Sequence, residues 1–262
     1  MTVLDTVNPA YSAAGLAVGL LVGLTGVGGG SLMTPLLILL FGIHPSVAVG
    51  TDLLFAAATK SAGTAVHGVS HTVDWRITRN LALGSVPATL ATLIALHWFG
   101  APTRATEHLM SVALGIALLL TAAVTLARAR IVDYTGRKLR PMPPRRVAVL
   151  TVLTGLLLGV VVSLSSVGAG AIGVTALILL YPGVPLARIV GSDIAHAVPL
   201  TLIAGIGHWY LGSVDLGLLT SLLLGSLPGI VLGSVLAARV PEIVLRPVLA
   251  AALLLVGSRM LA

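Results

Sequence analysis

The sequence predicts an all-α integral membrane protein built from two inverted-topology repeats, each with a glycine-broken helical hairpin and about three transmembrane helices. Three observations lead to this prediction. Hydrophobic residues make up 57% of the 262 residues and charged residues only 9%. Several long stretches contain no charged residue, and similar features recur in both halves of the chain in the same order.

The composition excludes most classes of soluble protein. A soluble domain carries about 25% charged residues, and the mean hydropathy of this chain is +1.08. Such a chain cannot cover itself with a water-facing surface, which argues against a soluble enzyme, a nucleic-acid-binding protein and a disordered protein. The chain contains no cysteine, so disulfides and thiolate metal ligands are also excluded.

Uncharged runs mark the predicted membrane segments. A transmembrane helix needs roughly 20 apolar residues, and Asp, Glu, Lys and Arg are absent from residues 6–51, 80–103, 108–127, 147–187, 194–214 and 216–238. These runs are continuously apolar rather than alternating, so they predict a helical bundle and not a β-barrel. The start of the chain lacks a basic region, so we expect the first apolar segment not to be a cleavable signal peptide.

The two halves of the chain are related by an internal repeat of about 140 residues. Five features match in the same order: Val27-Gly28-Gly29-Gly30 with Val167-Gly168-Ala169-Gly170, Gly50-Thr51-Asp52 with Gly191-Ser192-Asp193, His67 with His208, Val73-Asp74 with Val214-Asp215, and Gly84-Ser85-Val86-Pro87 with Gly225-Ser226-Leu227-Pro228. The order and nearly constant offset indicate a duplication. We therefore predict an N-terminal repeat at 10–127, a linker at 128–146 and a C-terminal repeat at 147–262.

The linker sets the predicted orientation. It contains seven basic residues and one acid, and the positive-inside rule places it in the cytoplasm. Twelve of the fourteen Lys and Arg residues outside the membrane are then cytoplasmic, and only Arg104 and Arg259 are not. The matching turns at Asp74 and Asp215 fall on opposite sides of the membrane, which indicates an inverted repeat. The net charge of +7 is thus an orientation signal, and no nucleic-acid partner is expected.

Each half opens with a glycine-interrupted apolar segment. In the first half, residues 11–25 and 31–41 flank a Gly-rich run, and each is too short to cross a membrane comfortably at about 1.5 Å per residue. The second half is interrupted at residues 165–170. We interpret each as a hairpin with its tip near mid-membrane, where the second helix presents free N–H groups to an anion. The alternative is that the glycines only allow close helix packing.

Residues 10–260 resemble, in two copies, the TauE/SafE family of membrane transporters, also called the sulfite exporter or 4-toluene sulfonate uptake permease family. The resemblance is carried by Gly23-Leu24-Thr25-Gly26-Val27-Gly28-Gly29-Gly30 followed by Pro35, Ala48-Val49-Gly50-Thr51, His67 before Val73-Asp74-Trp75-Arg76, Gly207-His208, and Gly212-Ser213-Val214-Asp215. It implies transport of sulfur-containing anions such as sulfite or sulfonates, without ATP hydrolysis. In the family that the chain resembles, small or hydroxyl residues are usual at the positions of Asp52 and Asp193, and the helix of Lys60 is usually uncharged there.

Lys60 lies near the middle of a predicted helix at 45–69. Inserting a lysine there costs about 2.5–3.5 kcal/mol, so Lys60 should have a partner or a ligand. It could be the cation that attracts the anion. Alternatively it could pair with Asp52 or Asp193 for structure, or extend toward the inner interface.

Asp52 and Asp193 are candidates for proton coupling. A carboxyl group in a low-dielectric interior can take up a proton and so couple anion movement to a proton gradient. Alternatively, either carboxylate could cap a local helix start after the preceding glycine or neutralise Lys60. Two acids against one base favour at least one neutral carboxyl group at rest.

Three histidines are further candidates for a proton relay. His67 and His208 lie near the ends of their predicted helices, and His196 shares a helix face with Asp193. His67 and His208 could instead make an ordinary bond to a backbone carbonyl. The other histidines, His44, His71, His97 and His108, lie in or near loops and are given no role. The sequence contains no H-E-x-x-H motif and no cysteine, so no metal or other cofactor is expected.

The residues and the resemblance together predict a secondary transporter with a midplane anion site and alternating access, open to proton coupling, in the bacterial plasma or inner membrane. The resemblance implies that it exports small sulfur-containing anions such as sulfite or organosulfonates, because the sequence itself gives no direction of transport. Its partners are the anion and the lipid bilayer, and the sequence leaves a homo-oligomer open. The predicted substrate-binding residues are Gly28, Gly29, Gly30, Ser31, Lys60, Ser166, Gly168, Ala169, Gly170 and Ala171. The proton-coupling candidates are Asp52, Asp193, His67, His196 and His208.

Two other functional classes stay open at this stage. The same scaffold could form an anion channel, which conducts without a counter-ion and without closing. An intramembrane enzyme is less favoured. Ser166 and His208 could act as nucleophile and base only if they came within reach of each other, and no G-x-S-x-G motif surrounds the serine.

Overall fold

Ten α-helices form the part of the protein that the computed structural model describes, residues 7–25, 30–69, 71–100, 103–138, 142–237 and 242–261, and no strand occurs in these residues. The helices are α1 (Pro9–Thr25), α2 (Gly30–Phe41), α3 (Pro45–Val69), α4 (Trp75–Trp98), α5 (Arg104–Lys138), α6 (Pro144–Ser165), α7 (Ala171–Leu180), α8 (Leu186–Tyr210), α9 (Leu216–Ala237) and α10 (Glu242–Leu261). The predicted all-helical architecture is confirmed.

Five of the described helices are long and apolar enough to cross a membrane: α4, α5 over Arg104–Asp133, α6, α8, and α9 over Leu216–Gly233. Helix α3 is as long as α8 but carries Asp52 and Lys60 in its interior and does not reach the same hydropathy. Helices α1, α2, α7 and α10 contribute shorter apolar segments. The protein is therefore a multi-pass membrane protein.

The two helices at the start of the second half differ in length. Helix α7 has 10 residues and is about 15 Å long, as expected for a segment that does not cross the membrane. Helix α6 has 22 residues and is about 33 Å long, which is long enough to cross a membrane. Part of this length lies at its start, because Pro144 occupies the first turn and the exposed Arg145 and Arg146 extend the helix beyond its apolar part.

Helix α5 continues through the first part of the basic segment and ends at Lys138. The sequence predicts its membrane part to end near residue 127, where the basic residues begin. Arginine, alanine and lysine favour a helix, and the residues from 128 to 138 include no proline. Charge therefore marks the end of the membrane segment but not the end of the helix.

Two helix pairs run parallel in close contact, α4 with α6 and α1 with α9. Glycines on both helices of each pair lie against backbone atoms of the facing helix, among them Gly155 against Leu81, Gly159 against Ser85, Gly15 against Leu222 and Gly19 against Ser226. A Cβ atom at any of them would collide with that backbone. Small residues are required wherever membrane helices approach this closely.

Helices α3 and α8 pack antiparallel, and each contacts helices of both halves. Gly50, near the start of α3, lies against His208 near the end of α8, and Gly191, near the start of α8, lies against His67 near the end of α3. A buried apolar cluster joins the interiors of α3 and α8 to α6 and α5: Val49, Leu53, Met110, Leu158, Val162, Leu200 and Ala204. The middle of this helix pair is therefore shielded from water.

Candidate functional site

Four polar side chains with ionisable groups are buried in the interiors of α3 and α8. Asp52 and His196 are 0% exposed, Asp193 is 1% exposed and Lys60 is 8% exposed. The Lys60 ammonium lies within electrostatic range of both carboxyl groups and of the His196 ring. We call these four residues the central cluster. Charges interact far more strongly in such an interior than in water. We therefore expect the charges of these four groups to depend on one another.

The break between α6 and α7 faces this cluster. Helix α6 ends at Ser165, and Ser166 adopts a left-handed conformation with φ of 57°. Gly168 and Gly170 follow with φ of 120° and 128°, values that favour glycine. The glycines thus allow the chain to reverse and start α7 at Ala171.

The start of α7 has no side-chain cap. The amides of Gly173 and Val174 donate to the carbonyls of Gly168 and Gly170, which holds the first turn in place. Groups at a helix N-terminus carry a positive partial charge and favour a negative ligand. The sequence prediction of a helix beginning at Ala171 after a glycine-rich break is confirmed for this second hairpin.

Lys60 connects the central cluster to the break. Its Nζ atom donates to the Ala169 carbonyl oxygen at 3.4 Å, across 109 positions of sequence. Among the described residues, neither carboxylate forms a direct ion pair with Lys60 within 4.0 Å. The ammonium group therefore lies beside the start of α7 and is not locked against Asp52 or Asp193.

Asp52 is held by the first hairpin. Its Oδ2 atom accepts a hydrogen bond from the Thr34 hydroxyl of α2 at 2.5 Å. Its Oδ1 atom is buried without a hydrogen-bond partner among the described residues, and so is the Ser166 hydroxyl, which lies close enough to interact with Asp52. Asp52 thus lies between α2 and the Ser166 end of the second hairpin.

Asp193 has a different environment. Its Oδ1 atom is buried without a hydrogen-bond partner in the described part of the chain. It lies directly against Gly173 in the first turn of α7, where a Cβ atom would collide with it. A buried polar atom is normally hydrogen-bonded, so this oxygen is a candidate for contact with a ligand or a proton.

His196 is the fourth member of the central cluster. Its Nε2 atom lies 2.8 Å from the Ser85 hydroxyl of α4, and its Nδ1 atom is buried without a partner among the described residues. Ser85 fixes the orientation of the ring, because one ring nitrogen is committed to it.

The other two candidate histidines lie outside the cluster. His208 Nε2 is 2.9 Å from the Ser163 carbonyl oxygen of α6, so this nitrogen carries the proton. His67 Nδ1 is 2.7 Å from the Thr72 hydroxyl at the end of α3. The Ser166 hydroxyl has no hydrogen-bond partner in the described residues, so it does not form a nucleophile–base pair with His208. His208 thus makes the contact with a backbone carbonyl that was its alternative to a proton relay, whereas His67 contacts a side-chain hydroxyl, and a relay role of either histidine stays a prediction.

The first hairpin is only partly described. Gly28 and Gly29 lie outside the described residues, while Gly30 begins α2 and Ser31 lies in its first turn. The predicted contribution of these residues to substrate binding therefore stays a prediction. In the described ranges, three or more His, Asp or Glu side chains do not come together in a way that could hold a metal ion.

Three residues of the site were not singled out from the sequence. Thr34 and Gly173 lie in short apolar helices, where a hydroxyl or a glycine is common and carries no signal. Ser85 belongs to a repeated motif, but its contact with His196 joins residues 111 positions apart. In the repeat, Ser85 is equivalent to Ser226. Its contact with a histidine depends on the packing of α4 against α8, which the motif does not show.

Loops of each half dock onto a hydroxyl of the other half beside the two buried aspartates. The Asp74 amide donates to Ser192 Oγ at 2.8 Å, and the Asp215 amide donates to Thr51 Oγ1 at 3.1 Å. The same two aspartates cap the following helices, because Asp74 accepts from the amides of Arg76 and Ile77 and Asp215 accepts from that of Leu218.

Removing one of these hydroxyls should destabilise the protein. Ser192→Ala leaves the Asp74 amide without an acceptor, and an unsatisfied buried donor costs about 1–3 kcal/mol. Thermal unfolding of the purified protein in detergent should show the loss. Ser61→Ala is the control, because the Ser61 hydroxyl only donates to the Ala57 carbonyl within its own helix. Equal stability of the two variants would contradict the role of the docked loop.

Comparison with known proteins agrees with this architecture. The family model described as sulfite exporter TauE/SafE matches residues 11–260. The "Probable membrane transporter protein YjnA" of Bacillus subtilis (strain 168) is 44% identical over 222 residues, which are 83% of this chain and 85% of that protein. The "Probable membrane transporter protein YunE" of the same organism is 39% identical over 88 residues, 34% of this chain and 28% of that protein.

No solved structure matches the chain significantly. The family model covers nearly the whole chain, and the first relative covers most of it, so the resemblance seen in the motifs is confirmed. This chain belongs to the sulfite exporter TauE/SafE family and is a multi-pass membrane transporter of the bacterial plasma membrane.

Proposed function

We propose that this protein is a secondary transporter that exports sulfite or organosulfonates by alternating access around one central anion site. The observation that carries the proposal is the position of Lys60, whose Nζ lies 3.4 Å from the Ala169 carbonyl oxygen just before the start of α7. A buried cation beside an uncapped helix N-terminus attracts a small anion. Both features lie among residues shielded from water, where such attraction is strong.

The anion in this proposal lies between the Lys60 ammonium and the first turn of α7. The N–H groups near Gly168, Gly170 and Ala171 and the unpartnered Ser166 hydroxyl would donate to its oxygens. The sequence predicts a further contribution from residues 28–31. Discontinuous helices with their N-termini at the substrate are a recurring arrangement in secondary transporters.

The two carboxyl groups bear on how the anion is coupled to other ions. Asp52 and Asp193 lie within electrostatic range of Lys60, so the charged cluster holds two acids and one base. An anion that enters adds a further negative charge to a low-dielectric site. Uptake of a proton by a carboxyl group relieves this repulsion, so we propose that anion movement is coupled to protons.

The proposed alternating access rests on the inverted repeat. Equivalent helices of the two halves pack antiparallel at α3 and α8, and the contacts of the two halves are reciprocal. Asp74 docks on Ser192 as Asp215 docks on Thr51, and α4 packs on α6 as α1 packs on α9. These reciprocal contacts support two halves related by a two-fold axis in the membrane plane. Rocking of one unit against the other would expose the site to each side in turn.

A transport assay tests the proposal. The purified protein is placed in liposomes, and uptake of labelled sulfite, methanesulfonate, sulfate and chloride is measured with and without a pH gradient. We expect saturable uptake of sulfite, methanesulfonate or both, competition between them, and little uptake of chloride.

Two outcomes would contradict the proposal. Flux that rises linearly with the gradient and does not saturate would indicate a channel. Absence of uptake for both sulfur-containing anions, with the protein correctly folded, would exclude them as substrates. Protein-free liposomes measure the passive leak that must be subtracted.

A further inference from the structure

We propose that Asp193, and not Asp52, carries the proton that accompanies the anion. This inference rests on the proposed anion transport and assigns its coupling to one of two carboxyl groups that the sequence repeat makes equivalent. The described contacts of the two groups differ in two ways, in hydrogen bonding and in position relative to α7, whereas Lys60 is the charged neighbour of both.

The carboxyl groups of Asp52 and Asp193 differ in the hydrogen bonds that they accept. The Thr34 hydroxyl donates to Asp52, and a donated hydrogen bond stabilises the ionised form of a carboxyl group. Thr34 also ties Asp52 to α2, which limits its movement toward a ligand. Oδ1 is buried without a partner in both groups, but no described residue donates to Asp193 as Thr34 donates to Asp52.

Position also favours Asp193. Its carboxyl group lies against Gly173, in the same first turn of α7 whose N–H groups form the proposed anion site. An anion bound there presents its own oxygens to the Asp193 carboxyl group. Two oxygens that both carry negative charge repel each other, whereas a proton between them forms a strong, charge-assisted hydrogen bond. Binding of the anion and of a proton to Asp193 are therefore linked.

The surroundings of Asp193 contain one other charged side chain within interaction range, Lys60 of α3. On its own helix His196 is oriented by Ser85, and α7 has no titratable residue. The charged side chains of α4 and α6, namely Arg76, Arg79, Arg145 and Arg146, are exposed. His67 of α3 lies beside Gly191 and contacts the Thr72 hydroxyl. Lys60 is shared with the anion, so the proton on Asp193 balances the charge that the anion adds.

The charge balance of one cycle follows directly. In this cycle the empty site holds Asp52 and Asp193 as carboxylates and Lys60 as an ammonium, a net charge of minus one, so the neutral carboxyl group expected from two acids and one base occurs only in the loaded site. The loaded site gains one monovalent anion, such as methanesulfonate or hydrogen sulfite, and one proton, and it keeps the same net charge. Both leave together on the other side, so no bond in the substrate is formed or broken and the direction of net flux follows the sum of the two gradients.

Methanesulfonate is a suitable probe because it is the anion of a strong acid and brings no proton of its own. Liposomes containing the protein and a trapped pH-sensitive dye receive an inward gradient of labelled methanesulfonate. Wild-type protein should acidify the lumen by about one proton per anion taken up. Asp193→Asn should lower this ratio at least tenfold while exchange of labelled for unlabelled methanesulfonate continues.

Asp52→Asn is the matched control and should keep the wild-type proton-to-anion ratio. Anion uptake by wild-type protein without acidification, retention of the ratio by Asp193→Asn, or its loss in Asp52→Asn would each overturn the inference and leave anion transport standing. If wild-type protein moves sulfite but not methanesulfonate, the ratio is measured with sulfite and compared only between wild-type protein, Asp193→Asn and Asp52→Asn, because hydrogen sulfite brings a proton of its own in all three. Movement of neither anion by folded wild-type protein would overturn the proposed function and this inference with it.

Discussion

Replacing Lys60 by methionine is expected to lower the ratio of the maximal transport rate to the half-saturating anion concentration at least about thirtyfold. Lys60 is 8% exposed and lies beside the start of α7, so its ammonium group meets the anion in a site shielded from water. Removing one member of a buried charge pair costs about 2–5 kcal/mol, and about 2 kcal/mol corresponds to the thirtyfold change. Uptake of labelled sulfite or methanesulfonate over a range of concentrations gives this ratio.

Two further measurements separate a role in binding from a role in structure. Methionine keeps most of the side-chain volume and inserts into a membrane more favourably than lysine, so the variant should reach the liposomes folded. Lys60→Arg retains the positive charge and should keep a larger part of the activity than Lys60→Met. If Lys60 only stabilises the fold, thermal stability in detergent falls and transport per folded molecule does not change.

The sequence predicts helix bounds best where a proline or glycine acts directly on the local backbone. The bounds of α3 were predicted at 45–69 and are Pro45–Val69, because a proline begins the helix and polar residues follow it. The break before Ala171 was predicted from the glycines, and their positive φ values explain why. The extension of α5 to Lys138 was missed, since basic residues end a membrane segment without ending a helix.

The candidate site was predictable in its charged members and not in their contacts. Lys60, Asp52 and Asp193 stand out because charge is rare in such a sequence. Their environments depend on pairs far apart in the chain, such as Lys60 with Ala169 and His196 with Ser85. The difference between Asp52 and Asp193 is invisible in the repeat, since both follow a glycine and a hydroxyl residue.

The histidines show the same limit. His196 and His208 lie on one helix, and the sequence makes both of them candidates for a proton relay. Side-chain direction separates them: His196 faces Lys60 and Ser85, whereas His208 faces the Ser163 carbonyl. A helix face can be predicted from sequence, but its neighbour in the membrane requires the packing of the whole bundle.

Gly84→Leu is expected to prevent recovery of folded protein, and Gly84→Ala to lower stability by about 1–3 kcal/mol, the usual cost of overpacking. Gly84 lies in α4 against the backbone of α6, where a Cβ atom would collide with the Val152 carbonyl oxygen and the Leu156 amide. Backbone atoms cannot move aside as a flexible side chain can, so the helices must separate. Thermal unfolding in detergent and the yield of monodisperse protein measure the effect.

The equivalent glycine of the second half allows a direct comparison with this result. Gly225 of α9 lies in the same way against the Ser12 carbonyl oxygen and the Leu16 amide of α1, so Gly225→Ala should cost about as much as Gly84→Ala. Gly68→Ala is the control, because no atom lies within 4 Å of its added Cβ and alanine favours a helix over glycine by about 1 kcal/mol. A Gly84→Ala protein as stable as Gly68→Ala would show that α4 and α6 do not pack through this contact. A large loss at Gly84 with none at Gly225 would contradict the reciprocal packing of the two halves, on which the proposed alternating access depends.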